Sequence, residues 1–351
     1  MSKRYSGNVI TPNPVEPAGP YQDDAANGVW SLAEALAYGK EGLWPTAGNE
    51  KQIAIIFGGF ASGNGVNVIQ QVGMATSGTT TDFGDLISTT YDAGSAASST
   101  RAINLGGTKG DNARDRMEYV TIASAGNSTD FGDIDKSGTN NPGISLPKGT
   151  TSNQTRGIIG PDDISTRIDY ITIATTGNSV NFGELYFGYT RRGGLSSPTR
   201  AFFMGGQDGA DNQQNRIDSV VIASTGNYYS SWGSLTVSRK KSAGASNGTR
   251  GVVFAGQNSS EAGYNIIDYF DLVSSGNASD FGDLSAATEF PSTFSNKVYA
   301  YCNSVGGTAV TASSTIEYVT IASAGNSTDF GDLYLAVNRA SATSDSHGGL
   351  S

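Results

Sequence analysis

The stretch EYVTIASAGNSTDFGD occupies residues 118–133, and the same sixteen residues return unchanged at 317–332. An identity of that length within one chain marks a repeated unit. The most persistent part of the unit is its ending, Phe-Gly-Asp-Leu or a near variant, which begins at Phe83, Phe131, Phe182, Trp232, Phe281 and Phe330. Successive starts lie 48, 51, 50, 49 and 49 residues apart. Six starts at this period fit six four-stranded blades of a β-propeller.

Within each unit the residues read as strands with turn punctuation. An apolar run ends in small residues, as in Ile55-Ile56-Phe57-Gly58-Gly59 and Phe202-Phe203-Met204-Gly205-Gly206. Next comes an alternating stretch such as Ile168-Asp169-Tyr170-Ile171-Thr172-Ile173-Ala174, the period-2 pattern of a half-buried strand. A Gly-Asn pair follows, at Gly126, Gly177, Gly226, Gly276 and Gly325. Both residue types adopt positive φ cheaply, so the pair predicts a tight hairpin turn. The aromatic-Gly strand is third, and a small-residue strand such as residues 241–248 is fourth.

An apolar run with Gly106-Gly107, then Tyr119, then an aromatic at Phe131, resembles the layout of kelch repeats, and Trp232 supplies the Trp such blades carry. The resemblance spans residues 51–351. It implies that the small-residue strand is innermost in its blade and the Gly-Gly strand second. The repeat enters at that second strand, residues 52–59, and ends after a lone innermost strand, residues 339–348. The expected fold is therefore an all-β, six-bladed kelch-like propeller over 51–351, with the last strand completing the blade begun by residues 52–88 and closing the ring.

Residues 1–50 break the pattern and form a separate N-terminal segment. Residues 11–20 contain four prolines and read as extended chain. Ser31-Leu32-Ala33-Glu34 has capping-box spacing, which predicts a short helix near 32–40. So short a helix needs a surface to lie on, and Trp30, Leu32, Leu36 and Trp44 offer an apolar face for docking. That surface is either the chain's own propeller or a larger assembly. Gly28-Val29-Trp30-Ser31-Leu32 followed by Gly42-Leu43-Trp44-Pro45 resembles the leader of virion structural proteins of tailed phages, notably of marine hosts. The repeat at 169–185 is similar to repeats of phage tail-fibre and tail-associated proteins. The resemblance implies a virion component docked to other virion proteins through residues 1–50.

Bulk composition narrows the function classes. The 37% hydrophobic content and 47 glycines suit many short strands rather than a disordered chain. A net charge of −10 repels phosphate backbones, so nucleic acid is not an expected partner. No stretch has the length of a membrane helix or a signal-peptide core, so the chain is expected to be made in a host cytoplasm, without membrane insertion. The one cysteine, Cys302, sits in an apolar run and reads as a buried thiol.

The candidate chemistry is sparse. Ser-Thr-Asp-Phe-Gly-Asp at 128–133 and 327–332 resembles the Asp-box of sialidase propellers, whose polar residues satisfy a turn. The carboxylates of Asp85, Asp133, Asp283 and Asp332 invite calcium, but the fourth unit reads Ser231-Trp232-Gly233-Ser234 and lacks them, so a structural turn is expected and no metal. Arginines after threonine at 101, 156, 200 and 250 recur once per unit, which predicts packing or ion pairs with neighbouring blades. His347, the only histidine, reads as an exposed terminal residue, and without a second one no His-dependent triad forms. No Gly-Lys phosphate loop is present, and no cofactor is expected.

Departures from the repeat are better guides to binding, because propeller ligands sit on loop faces. Residues 135–155 replace the regular fourth strand with an irregular stretch. Tyr228, Tyr229 and Trp232 form an aromatic group for contact with a host-surface glycan or a partner protein, with local packing as the alternative. The expectation is a non-enzymatic virion protein of the tail or tail fibre that presents a propeller for binding. A capsid decoration or other virion-surface module is the alternative, and a glycan-acting hydrolase a further one.

Overall fold

The computed structural model describes residues 52–135, 149–161, 164–228 and 230–350, together with Ser31, Ala33 and Ala37. The chain divides into two units, residues 1–52 and 53–351. In the first, Ala33 and Ala37 are helical and exposed, within the span read as a helix; Trp30, Leu32, Leu36 and Trp44 lie outside the described residues.

The second unit is a six-bladed β-propeller of four-stranded antiparallel sheets. From the innermost strand outward, blade I comprises Ser341–Ser344, Ile53–Phe57, Val68–Gly73 and Thr81–Asp85, and blade II Gly94–Ala97, Arg101–Leu105, Arg116–Thr121 and Thr129–Asp133. Blade III comprises Thr150–Ser152, Arg156–Ile159, Arg167–Thr172 and Val180–Glu184, and blade IV Gly193–Ser196, Arg200–Met204, Arg216–Val221 and Ser231–Ser234. Blade V holds Ala243–Ser246, Arg250–Phe254, Tyr264–Asp271 and Ser279–Thr288; blade VI holds Ser292–Ser295, Tyr299–Asn303, Ser313–Thr320 and Thr328–Val337.

The ring closes as the repeat phase requires. The strand Ser341–Ser344 pairs antiparallel with Ile53–Phe57, placing Thr343 opposite Ile55 and Ala342 opposite Ile56. Blade I is thus assembled from both ends of the repeat region, and its second strand has no free edge.

The second strands read as unbroken apolar runs because both of their faces are buried. Ile55 and Phe57 pack toward blade II, joining Ala97, Ala102 and Val120. Ala54 and Ile56 pack toward blade VI, against Phe294, Tyr301 and Phe330. Six such apolar clusters form among the described residues, each filled by two adjacent blades. Cys302 is one of these core residues, a fully buried thiol between blades V and VI.

Two expectations need correction. Part of the stretch 135–155 is regular: Thr150–Ser152 is the buried innermost strand of blade III, paired with Arg156–Ile159. Its Thr-Thr-Ser sequence lacks the Gly or Ala found in the innermost strands of blades I, II, IV and V. The Ser-Thr-Asp-Phe-Gly-Asp motif, read also as a turn, lies for the most part in the aromatic-Gly strand that the repeat predicts: Thr129–Asp133 pairs with Arg116–Thr121 across a bulge at Met117/Glu118.

The loop that carries Gly-Asn before the outer strand also differs from the tight hairpin turn expected of that pair. Its Gly N–H donates to the aromatic carbonyl of the preceding blade, as from Gly126 to Phe83 at 2.8 Å and from Gly226 to Phe182 at 2.7 Å. The Asn side-chain oxygen accepts the next available N–H, as Asn127 does from Asp85 at 3.0 Å and Asn227 from Glu184 at 3.1 Å. Gly-Asn is therefore a clamp between blades. It fixes the glycine of Phe-Gly-Asp as well, since a Cβ on Gly183 would run into the carbonyl of Gly226.

Candidate functional site: the central channel and its mouth

Most polar residues that recur once per blade hold the blades to each other. Arg101 Nη1 donates to the Ile173 carbonyl of the next blade at 2.8 Å, and Arg156 Nη1 to that of Ile222 at 2.8 Å. Arg250 does the same with Ile321 at 3.1 Å. Each also lies over an aromatic ring of its own blade: Arg101 over Tyr119 at 4.3 Å, Arg156 over Tyr170 at 4.6 Å and Arg250 over Tyr269 at 4.7 Å. Arg200 lies over Trp232 at 5.0 Å and donates to Ser219 Oγ within blade IV. The arginines thus pack, as expected of repeated positions, and three of the four bond a backbone carbonyl of the next blade rather than a carboxylate.

The acids of the third strands form a second set of braces. Glu118, Asp169, Asp218, Asp268 and Glu317 occupy matching positions and are all buried, and Gln70 takes the place in blade I. Glu118 accepts the Ile87 N–H at 2.9 Å and pairs with Lys109 at 2.9 Å. Asp268 accepts from Thr236 N at 3.0 Å and Thr236 Oγ1 at 2.6 Å. Glu317 accepts the Ser285 N–H at 3.1 Å. Arg192 and Arg239, both fully buried, meet Asp218 at 2.8 Å and Asp268 at 3.1 Å. Burial holds both guanidiniums below the usual arginine range despite those carboxylates.

Around the axis, the innermost strands end in a ring of hydroxyls. Ser152 Oγ donates to the Ala97 carbonyl at 2.9 Å, and Ser196 Oγ to that of Ser152 at 2.6 Å. Ser246 then donates to Ser196, Ser295 to Ser246 at 2.8 Å, and Ser344 to Ser295 at 2.6 Å. Five serines each satisfy the preceding blade's carbonyl, and Ala97 is the one position without a hydroxyl.

His347 fills that end of the channel, which corrects its reading as an exposed terminal residue. The chain turns inward after Ser344, and Gly348–Leu350 forms a 3-10 turn. Gly348 and Gly349 lie so close to Ser246, Ser152 and Ser196 that neither has room for a side chain. The His347 ring, partly buried, places Nε2 3.1 Å from Ala97 O and 3.2 Å from Ser152 Oγ. Desolvation pulls its pKa down to about 4, so the ring is neutral at pH 7. The remaining channel is a cavity of about 80 Å3 lined by small and hydroxyl side chains, including Ser95, Thr150 and Thr293. A water needs roughly 10–15 Å3 by this measure, so the cavity admits several waters or a small polar group.

The opposite mouth carries charge. The residue two places before the innermost strand is Asp92 in blade II, Arg191 in blade IV, Lys241 in blade V, Phe290 in blade VI and Arg339 in blade I. Asp92, Arg191, Lys241 and Arg339 have φ of 55°, 59°, 60° and 56°, a left-handed conformation that side chains other than glycine adopt at a cost. Backbone bonds tie them in pairs, Asp92 N to Arg339 O at 2.8 Å and Lys241 N to Arg191 O at 2.7 Å. Beside this mouth, loop 185–192 sets out an aromatic series. Tyr186 and Phe187 are 57% and 39% exposed, and Phe187 stacks on Tyr189 at 5.5 Å with Arg216 5.2 Å from its ring centre.

The structure separates the aromatic residues singled out from sequence. Tyr228 stacks on Phe182 at 5.9 Å on the blade III side of blade IV, and its hydroxyl donates to the carbonyls of Val221 and Ser224. Trp232 packs edge-on against Phe202 at 5.1 Å on the blade V side, and its Nε1 donates to Asp271 O at 2.9 Å. Tyr229 lies outside the described residues. Asp85, Asp133, Asp283 and Asp332 are exposed on separate blades, and among the described residues no three His, Cys, Asp or Glu side chains converge as metal ligands. Sequence reading missed Tyr186, Phe187 and Tyr189. Their signal was the run Leu185-Tyr-Phe-Gly-Tyr, where the equivalent stretch after Leu86 reads Ile-Ser-Thr-Thr.

Fold and site together define a β-propeller with a hydroxyl-lined channel, closed at one end by His347 and open at a charged mouth. No family model matches the chain, and no curated protein matches it. No described helix is long and apolar enough to cross a membrane.

Proposed function

We propose that this chain is a phage virion protein of the tail or its fibres that binds a host-surface glycan or a partner protein through a rigid, preformed loop face. The observation that carries the binding reading is the exposed aromatic pair Tyr186 and Phe187, with Phe187 stacked on the buried Tyr189 and backed by Arg216, on the face of the open channel mouth. Exposed, prestacked aromatics lose little conformational entropy when a sugar ring or a protein side chain lies on them. The repeated acids and arginines that would suggest a sialidase-like hydrolase are engaged in holding blades together, which favours binding over catalysis. The virion assignment rests on the resemblance of the leader and repeats to phage proteins. Docking to other virion proteins is assigned to residues 1–50.

Cryo-electron microscopy of purified particles containing this chain tests the assignment. Density at the tail, a few to dozens of copies, with the propeller face outward, is the expected result. Hundreds of regular copies over the capsid would make the chain a decoration protein. Absence from particles would end the virion reading.

A further inference from the structure

The channel mouth holds two cations without a carboxylate partner among the described residues. Its other charges are engaged. Arg339 is paired with Asp92 through Nε at 2.9 Å, and Lys240 with Glu261 at 3.1 Å. Glu289 accepts from Gln257 at 3.0 Å and from Ala309 N at 2.7 Å. Lys241 is different: it is 9% exposed, forms no ion pair, and its ammonium rests 4.2 Å from the centre of the Phe290 ring. Arg191, tied to Lys241 through the backbone, has only the neutral Gln207 Oε1 at 3.3 Å. A buried ammonium without a counter-charge costs several kcal/mol in general, so it persists where something supplies one. Both residues sit at left-handed positions two places before innermost strands whose residues Gly194, Ala243 and Gly244 line the polar cavity, and Arg191 is close enough to act on the Lys241 charge.

We propose that Lys241 and Arg191 form an anion-binding site at the channel mouth, one that takes a carboxylate or sulfate group of a ligand while the rest of that ligand extends over the mouth. Geometry suits the task. An ammonium offers three donors and a guanidinium five, so two oxygens of one anion can be met from adjacent blades. Arg339, 5.0 Å from the centre of the same Phe290 ring, adds long-range attraction. The charges that act on Lys241 are Arg191 and Lys240, which depress its pKa after desolvation, and Glu261 and Asp92, which oppose them. The net result is a pKa of about 8, and a bound anion would raise it. The inference does not depend on the virion reading, because it concerns only what the mouth binds.

The experiment uses the full chain at constant ionic strength, with chloride as the background anion, titrated by calorimetry with acetate, sulfate and D-glucuronate. Saturable binding of at least one of the three is expected. Lys241→Met and Arg191→Gln should each weaken it tenfold or more, while Lys297→Met, in a loop of the opposite face, leaves it unchanged. In parallel, the lysine amines are followed by carbon-13 methylation and NMR, with Lys241→Arg identifying the signal. Its titration midpoint near 8 should move upward at saturating ligand. Arg191→Gln keeps the test readable if the Lys241 variant fails to fold. No saturable binding, or binding that survives both substitutions, would overturn the proposal.

Discussion

His347 Nε2 lies 3.1 Å from the carbonyl oxygen of Ala97, the one member of the inner ring without a hydroxyl. A carbonyl only accepts, so Nε2 carries the proton. Nδ1 is then free to accept the Gly349 N–H at 3.1 Å. A second proton on Nδ1 would face that N–H, donor against donor. The last residues thus seal one end of the channel with an imidazole that has a single satisfactory tautomer.

This arrangement has a pH signature. His347 titrates at about 4 in the fold against about 6.5 unfolded. Above pH 6.5 both states are neutral and the residue contributes no slope. As pH falls from 6.5 to 4, the unfolded chain takes up a proton that the native one refuses, and stability is lost. Asp345 works in the opposite direction: burial raises it to about 6, so the native state binds a proton first and gains stability as pH falls from 6 toward 4. His347→Gln removes only the first effect. Its denaturation midpoint at pH 4.5, relative to pH 7, should therefore hold up better than that of the wild type. Equal drops in the two proteins would mean that His347 is not held neutral.

The blade clamp makes a prediction about two glycines. Gly183 and Gly226 both have positive φ, 144° and 151°, so alanine is strained at either site. A Cβ on Gly226 meets open space, whereas one on Gly183 meets the Gly226 carbonyl itself. Gly226→Ala should cost about 1 kcal/mol, from backbone strain. Gly183→Ala should cost about 2 kcal/mol more, because blades III and IV must also separate. Urea denaturation of the two variants measures the difference, and equal costs would refute the clamp.

Much of this fold is legible in the chain because a propeller is one pattern repeated by translation along the sequence. The period, the six units and the closing strand all follow from local runs such as Phe83-Gly84-Asp85-Leu86 and from the phase at which the repeat starts and stops. The reason for Gly84 was hidden, since the atoms that exclude its side chain belong to Gly126 in the next unit. His347 was misread for the same cause on a larger scale: its partners Ala97 and Ser152 lie 250 and 195 residues away. The mouth residues Arg191, Lys241 and Arg339 occupy equivalent positions, but only the ring geometry brings them to one opening.

Buried braces should behave unlike surface ion pairs. Asp268 and Arg239 are both fully buried, and Asp268 also accepts two bonds from Thr236. Asp268→Ala strands the Arg239 guanidinium and should cost about 3–5 kcal/mol. Combining it with Arg239→Met removes the stranded charge and should recover part of the loss, although Thr236 stays unpaired. Equilibrium unfolding of the two single variants and the double variant reads the coupling. Strict additivity would show that the pair does not act as a unit.

Ring closure predicts the effect of a truncation. Removing residues 341–351 strips blade I of its innermost strand and leaves one edge of Ile53–Phe57 without backbone partners. It also uncovers Ala54 and Ile56, which the fold buries completely, and empties the end of the channel that His347 occupies. An exposed apolar edge of this kind recruits strands from other molecules. The truncated chain should lose its cooperative melt and elute as aggregates on size exclusion. A synthetic peptide of residues 339–350, added in trans, should restore monomer and melt, because the vacant edge and the ring of Ser295 and Ala97 carbonyls are templates for that strand alone. A truncated monomer that melts like the full chain would show that blade I stands on three strands and that closure contributes little.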